Sequence, residues 1–141
     1  MKAKEFLKRV SKLDAIIQNK IIEKQQWEAV ATSTTIQPSD SKVQSSGNKQ
    51  KMESAVIRLV EIEAELDAII NEYVDVKMNV VRTIEQLPTA EYDLLHKVYI
   101  QGKDLAEAAA LVGKSYTWAT TVHGRALEHL QKIMDERRKE L

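Results

Sequence analysis

The side chains best suited to metal binding or to proton transfer near neutral pH are three histidines, because the chain contains no cysteine. His96, His123 and His129 lie too far apart along the chain to form a ligand pattern, and no convincing set of carboxylates accompanies them. The sequence also lacks a Gly-rich phosphate loop and paired carboxylates on an apparent pocket. It therefore predicts a protein that is not an enzyme, with no metal site and no cofactor.

Composition and charge favour a helical protein that does not enter a membrane. The 141 residues are poor in Gly, Pro and aromatic side chains and rich in residues that favour helices. Because 21 Lys and Arg balance 21 Asp and Glu, any attraction to nucleic acid must be local. No apolar run approaches the roughly 18 residues of a membrane span, and charges interrupt the first residues where a signal peptide would be apolar. We expect a cytoplasmic location.

Apolar side chains at helical spacing predict a first helix from Lys2 to about Val30. They recur every three or four residues at Ala3, Phe6, Val10, Leu13 and Ile17. Lys20 and Lys24 take the next two positions, so we expect the apolar face to drift along the helix. The side chains expected to carry it onward are Ile21, Ile22 and Trp27.

A strict heptad repeat predicts a second, longer helix from about Lys51 to Thr83. Its a and d positions are all apolar: Met52, Ala55, Leu59, Ile62, Leu66, Ile69, Tyr73, Val76 and Val80. Residues 32–49, between the two helices, are rich in Ser and Thr and contain Pro38 and Gly47, which predicts a flexible linker. Since one helix cannot bury such a seam alone, we predict an antiparallel, coiled-coil-like helical hairpin over residues 1–83.

The charges of the two helices and the apolar residues outside the seam indicate what packs against each helix of this hairpin. Residues 1–24 carry seven Lys or Arg against three Asp or Glu, whereas residues 51–83 carry four against seven, so the two helices should attract each other. Further apolar residues widen both faces beyond a two-helix seam: Leu7, Ile16, Ile22, Val56, Val60, Ile70 and Val81. That width predicts a further partner, either a second copy of the chain or the C-terminal domain, and we expect a homo-oligomer, most simply a dimer.

The sequence pattern of residues 87–137 predicts a domain of three helices joined by short turns. Pro88 ends the long helix, and Thr89 can cap the next one. The buried face of that helix is expected to comprise Leu94, Leu95, Val98 and Tyr99. Gly102 then tolerates the positive φ of a tight turn, which brings the chain to the next helix.

The last two helices of this domain are predicted to form a helix-turn-helix. Asp104 caps a short helix, Gly113 turns the chain, and Ser115 caps a longer helix. Small residues should let the two helices cross closely, namely Ala106, Ala109 and Ala119. The apolar positions of the last helix are Ala119, Val122, Ala126, Leu127, Leu130 and Ile133.

Residues 87–133, about a third of the chain, resemble region four of bacterial sigma factors, the module that binds the promoter element near position minus thirty-five. The resemblance rests on Leu87-Pro88, Leu94-Leu95, Tyr99 before the first glycine of the domain, Leu111 to Ser115, and Arg125-Ala126-Leu127 with Leu130. With its coiled-coil-like N-terminal part, the chain is similar to ArpU-type late-gene regulators and related uncharacterised proteins of phages and prophages of Gram-positive bacteria. This similarity implies a DNA-binding regulator of phage late-gene transcription.

The resemblance also implies a DNA-reading surface at the start of the last helix. It directs four side chains toward the bases, namely Tyr116, Thr117, Thr120 and Thr121. Their hydroxyls can bond base edges or phosphates, and a threonine methyl can pack on a thymine methyl. Ser115 caps this helix, and Lys114 and Arg125 would lie near backbone phosphates.

The implied recognition helix is less basic than those of sigma factors, which present Arg or Lys at several of these positions. Neutralisation of phosphates by Lys and Arg supplies much of the affinity of proteins for DNA. Residues 84–141 have no excess of these cations, since they hold eight Lys or Arg against nine Asp or Glu. Binding to double-stranded DNA would therefore need help from dimerisation or from RNA polymerase as a partner. His123 could add a phosphate contact, whereas Trp118 is expected to pack.

A second interpretation stays open, because trihelical folds of this kind also serve as protein-binding modules. In that interpretation the chain is a non-enzymatic phage structural or interaction protein. Its hairpin drives oligomerisation, and its C-terminal domain docks onto another protein. The two interpretations differ in whether the helix that begins at Ser115 contacts DNA.

Overall fold

All regular structure is helical in residues 1–33 and 45–140, the part of the chain described by a computed structural model. The helices are α1 (Ala3–Ser33), α2 (Ser45–Ile84), α3 (Thr89–Leu95), α4 (Leu105–Leu111) and α5 (Tyr116–Glu140), and a π-helical turn (His96–Ile100) follows α3 directly. The predicted all-α class is confirmed. None of the described helices is both long enough and apolar enough to cross a membrane.

The chain divides into two compact units. The first, here called the helix-turn-helix unit, comprises Met1–Asp14 and Tyr73–Leu141. The second, here called the hairpin unit, comprises Ala15–Glu72. The sequence pattern divides the chain into residues 1–83 and 87–137, with the boundary at the end of α2. The boundaries between the compact units lie instead within α1 and within α2. The first turns of α1 therefore belong to the same unit as α3, α4 and α5.

Within the hairpin unit, α1 and α2 run antiparallel. Nζ of Lys20 lies 2.8 Å from Oε2 of Glu65, and Nζ of Lys24 lies 3.5 Å from Oε1 of Glu63, so residue numbers rise along α1 as they fall along α2. These pairs confirm the predicted charge complementarity of the two helices. The predicted seam of α2 is also confirmed in this unit, where its side chains are buried or half-buried: Met52, Ala55, Leu59, Ile62, Leu66 and Ile69.

The predicted drift of the α1 apolar face is wrong at its first two positions. Ile21 is 37% exposed and Ile22 is 51% exposed, whereas Lys20 and Lys24 remain half-buried at the seam. Lysine can occupy such a position because its aliphatic stem covers apolar surface while its ammonium group reaches a carboxylate. The original repeat therefore continues through both lysines to Trp27, which is half-buried.

Both long helices extend into the segment predicted as a linker, residues 32–49. α1 ends at Ser33 and α2 begins at Ser45, so both ends of that segment are helical. The rest of the predicted linker, residues 34–44, lies outside the described residues. The prediction ended the helices early because Ser, Thr, Asn and Gly have low helix propensity. Extending an existing helix requires no new nucleus, so a helix can continue beyond its apolar face.

Two apolar clusters form the core of the helix-turn-helix unit. The smaller cluster joins α3, α4 and α5 through Leu94, Ala108, Ala109, Ala119 and Val122. The larger cluster joins the two long helices to the C-terminal helices. Its residues are Ala3, Phe6, Leu7, Val10, Val80, Ile84, Leu87, Leu95, Tyr99, Ala126 and Leu130. The start of α1 and the end of α2 thus pack against the C-terminal helices within one core.

Local signals predicted the turns around α4 correctly. Oδ1 of Asp104 accepts a hydrogen bond of 2.8 Å from the backbone N–H of Glu107 and caps the helix. Gly102 and Gly113 have positive φ angles of 76° and 69°, in a region of backbone conformation that residues with a Cβ rarely adopt. These residues therefore set the directions in which the chain enters and leaves α4.

Two local predictions in this domain are wrong. Thr89 does not cap α3, because the helix begins at Thr89 itself, with Pro88 in the capping position and no side-chain cap. Ala106 is exposed and does not lie at the crossing of α4 and α5, where Ala108 and Ala109 are buried. The register of α4 explains the difference, since Ala106 lies on the flank of the face that these two alanines share.

Candidate nucleic-acid interface

The first turn of α5 is held in place by a side-chain cap and a backbone bond. Oγ of Ser115 accepts a hydrogen bond of 3.1 Å from the backbone N–H of Trp118, which confirms the predicted cap. Just before it, the N–H of Lys114 donates to the carbonyl oxygen of Ala109 at 2.9 Å and closes the end of α4. Together these bonds fix the turn that orients α5.

One face of α5 is buried and the opposite face is exposed over its first three turns. Ala119, Val122 and Ala126 are at most 2% exposed and pack into the core clusters. The exposed side chains, here called the hydroxyl face, are Tyr116, Thr117, Thr120 and Thr121. The structure thus brings the four residues that the resemblance directs toward the bases together on one accessible surface.

Two of the three threonine hydroxyls of this face, those of Thr120 and Thr121, are already oriented by the helix. Oγ1 of Thr120 donates a hydrogen bond of 2.8 Å to the carbonyl oxygen of Thr117, and Oγ1 of Thr121 donates one of 3.1 Å to the same oxygen. Because each hydroxyl hydrogen is engaged in this way, each oxygen presents lone pairs outward. The face is therefore arranged to accept hydrogen bonds, for example from the amino groups of adenine or cytosine in the major groove.

A positive charge lies at the start of the hydroxyl face. The exposed Lys114 places its Nζ 5.9 Å from the ring centroid of Trp118, close enough for a cation–π interaction. Trp118 is half-buried and packs against the smaller core cluster, which confirms its expected packing role. The indole ring therefore connects the ammonium group to the core and limits the region that it samples.

Sequence reasoning missed an apolar contribution to this surface. Leu111, the last residue of α4, is 60% exposed, and Tyr116, the first residue of α5, is 58% exposed. Leu111 lies outside the spacing of the buried positions of α4, which is the signal that could have identified it. An exposed leucine is the kind of side chain that can pack on a thymine methyl group.

Arg125 is connected to a buried carboxylate that sequence reasoning also missed. Glu91 of α3 is only 2% exposed, and its Oε1 lies 3.5 Å from Nε of Arg125. Nδ1 of His129 lies 2.7 Å from Oε1 and 2.9 Å from Oε2 of the same carboxylate. The Arg125 side chain remains 56% exposed, so it is held against α3 and is still accessible at the surface.

His123 packs inward from α5 and is held by a buried tyrosine. Its Nε2 lies 2.7 Å from the hydroxyl oxygen of Tyr99, and the two rings stack with centroids 5.8 Å apart. Partial burial lowers the pKa of His123, and the positive charge of Lys4 lowers that pKa further. Burial raises the pKa of Tyr99. Burial and the charge of Lys4 thus both favour the neutral form of His123, which makes this imidazole less suited to a charged phosphate contact.

The candidate interface thus combines an outward row of hydroxyls, an exposed leucine and cationic side chains at its edges. Such groups contact base edges, thymine methyls and phosphates, respectively. In the described residues, no group of three or more His, Cys, Asp or Glu side chains is placed to hold a metal ion. Comparison of the chain with protein-family models, curated proteins and solved structures found no match, so its function is inferred from its own geometry and the resemblance above.

Proposed function

We propose that this chain is a DNA-binding transcriptional regulator that reads double-stranded DNA in the major groove with the hydroxyl face. The observation that carries the proposal is the exposure of Tyr116, Thr117, Thr120 and Thr121 on a capped helix whose opposite side is buried. A helix fits the major groove, and a helix-turn-helix presents the start of its second helix to the base edges. The resemblance to sigma region four and to phage late-gene regulators supports a role in transcription.

Affinity in this proposal comes from phosphate contacts at the edges of the hydroxyl face. Lys114, just before α5, and Arg125, about three turns further along, are both exposed enough to reach the duplex backbone. Such contacts position a protein on DNA but carry no sequence information directly. A second copy of the chain, or RNA polymerase, would add further contacts.

We expect Thr117→Ala and Thr120→Ala each to reduce sequence discrimination by about 1–3 kcal/mol, the usual value of a good base contact. Both side chains are exposed, so unfolding free energies should change by no more than about 0.5 kcal/mol. The measurement has two steps. A random duplex pool is first enriched with the wild-type protein, and affinities for the enriched duplex and a random duplex are then compared for each variant.

A matched control is Thr32→Ala in the hairpin unit. Its hydroxyl donates to the carbonyl oxygen of Glu28, one turn earlier, as that of Thr121 does to Thr117. This variant removes the same chemical group but should leave discrimination unchanged. A wild-type protein that enriches no sequence, or threonine variants of α5 that retain full discrimination, would refute the proposal in favour of a protein-interaction role.

The hairpin unit carries an observation that favours the second function, oligomerisation. Among the residues of this unit that the structure describes, seven large apolar side chains are at least 37% exposed: Ile21, Ile22, Val30, Val56, Ile57, Val60 and Ile70. Such an apolar surface is typical of an interface between protein chains. We propose that a second copy of this chain covers it, which would also double the number of DNA contacts.

Light scattering should then detect a dimer in the wild-type protein, and Val60→Lys should shift it toward monomer. The reason is that Val60, 64% exposed, would place a charge in the apolar interface. The control is Ala68→Lys, which adds the same charge at an exposed position of α2 outside the apolar set. A wild-type protein that stays monomeric at all concentrations would exclude self-association.

A further inference from the structure

The helix-turn-helix unit contains cationic residues that the C-terminal segment lacks. Residues 1–14 contribute five of them, Lys2, Lys4, Lys8, Arg9 and Lys12, against two acidic residues. With these residues included, the unit holds 15 Lys or Arg against 12 Asp or Glu. The helix-turn-helix therefore belongs to a compact unit with a net positive charge, although residues 84–141 taken alone have a slight negative excess.

The first turns of α1 are attached directly to α5. The backbone N–H of Ala3 donates a hydrogen bond of 2.7 Å to Oε1 of Gln131, and Nε2 of Gln131 donates one of 3.4 Å to the carbonyl oxygen of Met1. Leu7 is fully buried in the cluster that contains Ala126 and Leu130 of α5. The cations of this segment are therefore held at defined positions relative to α5.

The first turns of α1 also pack near the start of α5. They share a core cluster with Tyr99, whose hydroxyl oxygen lies 2.7 Å from Nε2 of His123. Burial lowers the pKa of His123, and the positive charge of Lys4 lowers that pKa further. His123 follows Thr120 by three residues, so the two side chains lie one turn apart on the same flank of α5. The segment that carries Lys4 therefore packs near the flank of α5 from which Thr120 projects.

Lys4 and Lys8 are available for an anionic partner. Both side chains are exposed, and neither takes part in an ion pair within the described residues. They are one turn apart, which separates them by roughly 6 Å along the helix axis. Phosphates of one DNA strand follow each other every 3.4 Å or so along the duplex axis, so two lysines at this spacing can reach two phosphates.

We propose that Lys4 and Lys8 form a second DNA contact, in which their ammonium groups bind phosphates of the duplex backbone beside the hydroxyl face. The inference rests on the proposed function and adds to it a phosphate-binding surface from the opposite end of the chain. These contacts increase affinity for any duplex sequence, while the hydroxyl face distinguishes one sequence from another.

The test is a Lys4→Gln/Lys8→Gln variant of the full chain, with binding to the enriched duplex and to a random duplex measured between 50 and 200 mM salt. Each lost phosphate contact lowers the salt slope by about 0.9, so the slope should fall by about 1.8. Over this fourfold range of salt, the affinity advantage of the wild-type protein should shrink by about twelvefold on both duplexes. Discrimination between the two duplexes should stay unchanged.

The control is Lys49→Gln/Lys51→Gln, which removes the same charge from exposed positions of α2 in the hairpin unit and should leave the slope unchanged. If the threonine variants lose discrimination while Lys4→Gln/Lys8→Gln keeps the wild-type slope, the second contact is refuted and the proposed function stands. An equal fall in slope for both lysine pairs would show an effect of net charge alone and also refute it. A wild-type protein that binds no DNA overturns both proposals.

Discussion

Leu7→Ala should destabilise the helix-turn-helix unit by about 2–5 kcal/mol, although Leu7 lies near the opposite end of the chain. The side chain is fully buried in the cluster with Val80, Ala126 and Leu130, so its removal loses apolar contacts and leaves a cavity. Denaturant unfolding of the full chain measures the loss. Amide exchange of α5 locates it, because residues sharing a core with Leu7 should exchange faster.

Val74→Ala provides the matched control. It also shortens an aliphatic side chain on a long helix, but Val74 is 46% exposed and lies outside the proposed dimer interface, so the variant should cost no more than about 0.5 kcal/mol. Amide exchange of α5 should be unaffected in this control. If Leu7→Ala unfolds like the control, the first turns of α1 do not contribute to the stability of the C-terminal helices.

The seam of α2 could be predicted because the burial pattern of an antiparallel helix pair is visible in the local sequence. Alternation of three and four residues places one row of side chains against neighbouring helices, and this row is buried or half-buried from Ala55 to Val80. Turn and cap chemistry is equally local, so Asp104 and Ser115 were identified correctly from residue type. Periodicity and capping residues therefore account for much of the fold.

Contacts between distant segments could not be predicted in the same way. The pattern of α1 places Leu7 on an apolar face but does not specify that this face meets α5. Lysine at two seam positions suggested that the face drifts, because the pattern does not contain the carboxylates that pair with Lys20 and Lys24. Both results depend on the tertiary partner, which residue spacing within one helix does not identify.

In the candidate site, too, some features follow from the local sequence and others depend on tertiary contacts. The exposure of Thr117 and Thr120 follows from the period of α5, so the resemblance and the structure place them on the same surface. Lys4, whose charge acts on His123, and Glu91, which holds Arg125, come from other elements. Their roles depend on tertiary contacts, and their residue types alone gave no signal.

The second large effect concerns the buried carboxylate of Glu91. An Arg125→Ala/His129→Ala variant should lose about 3 kcal/mol of unfolding free energy, because the carboxylate stays buried without its two polar partners, the guanidinium of Arg125 and the ring nitrogen of His129. The loss should lie near the lower end of the range for broken buried ion pairs, since the shortened side chains admit water. Denaturant unfolding of the full chain, with amide exchange of α3 and α5, measures it.

Variants at the three positions separate the effect of charge from that of lost packing. Arg125→Ala alone should cost less than about 1 kcal/mol, because the guanidinium is more than half exposed. Adding Glu91→Gln to the double variant should recover roughly half of the loss, since a neutral amide costs less to bury than a carboxylate. A triple variant less stable than the double would instead assign the loss to packing. If the single variant is as stable as expected, any reduction of its DNA affinity reports a phosphate contact of Arg125 and not partial unfolding.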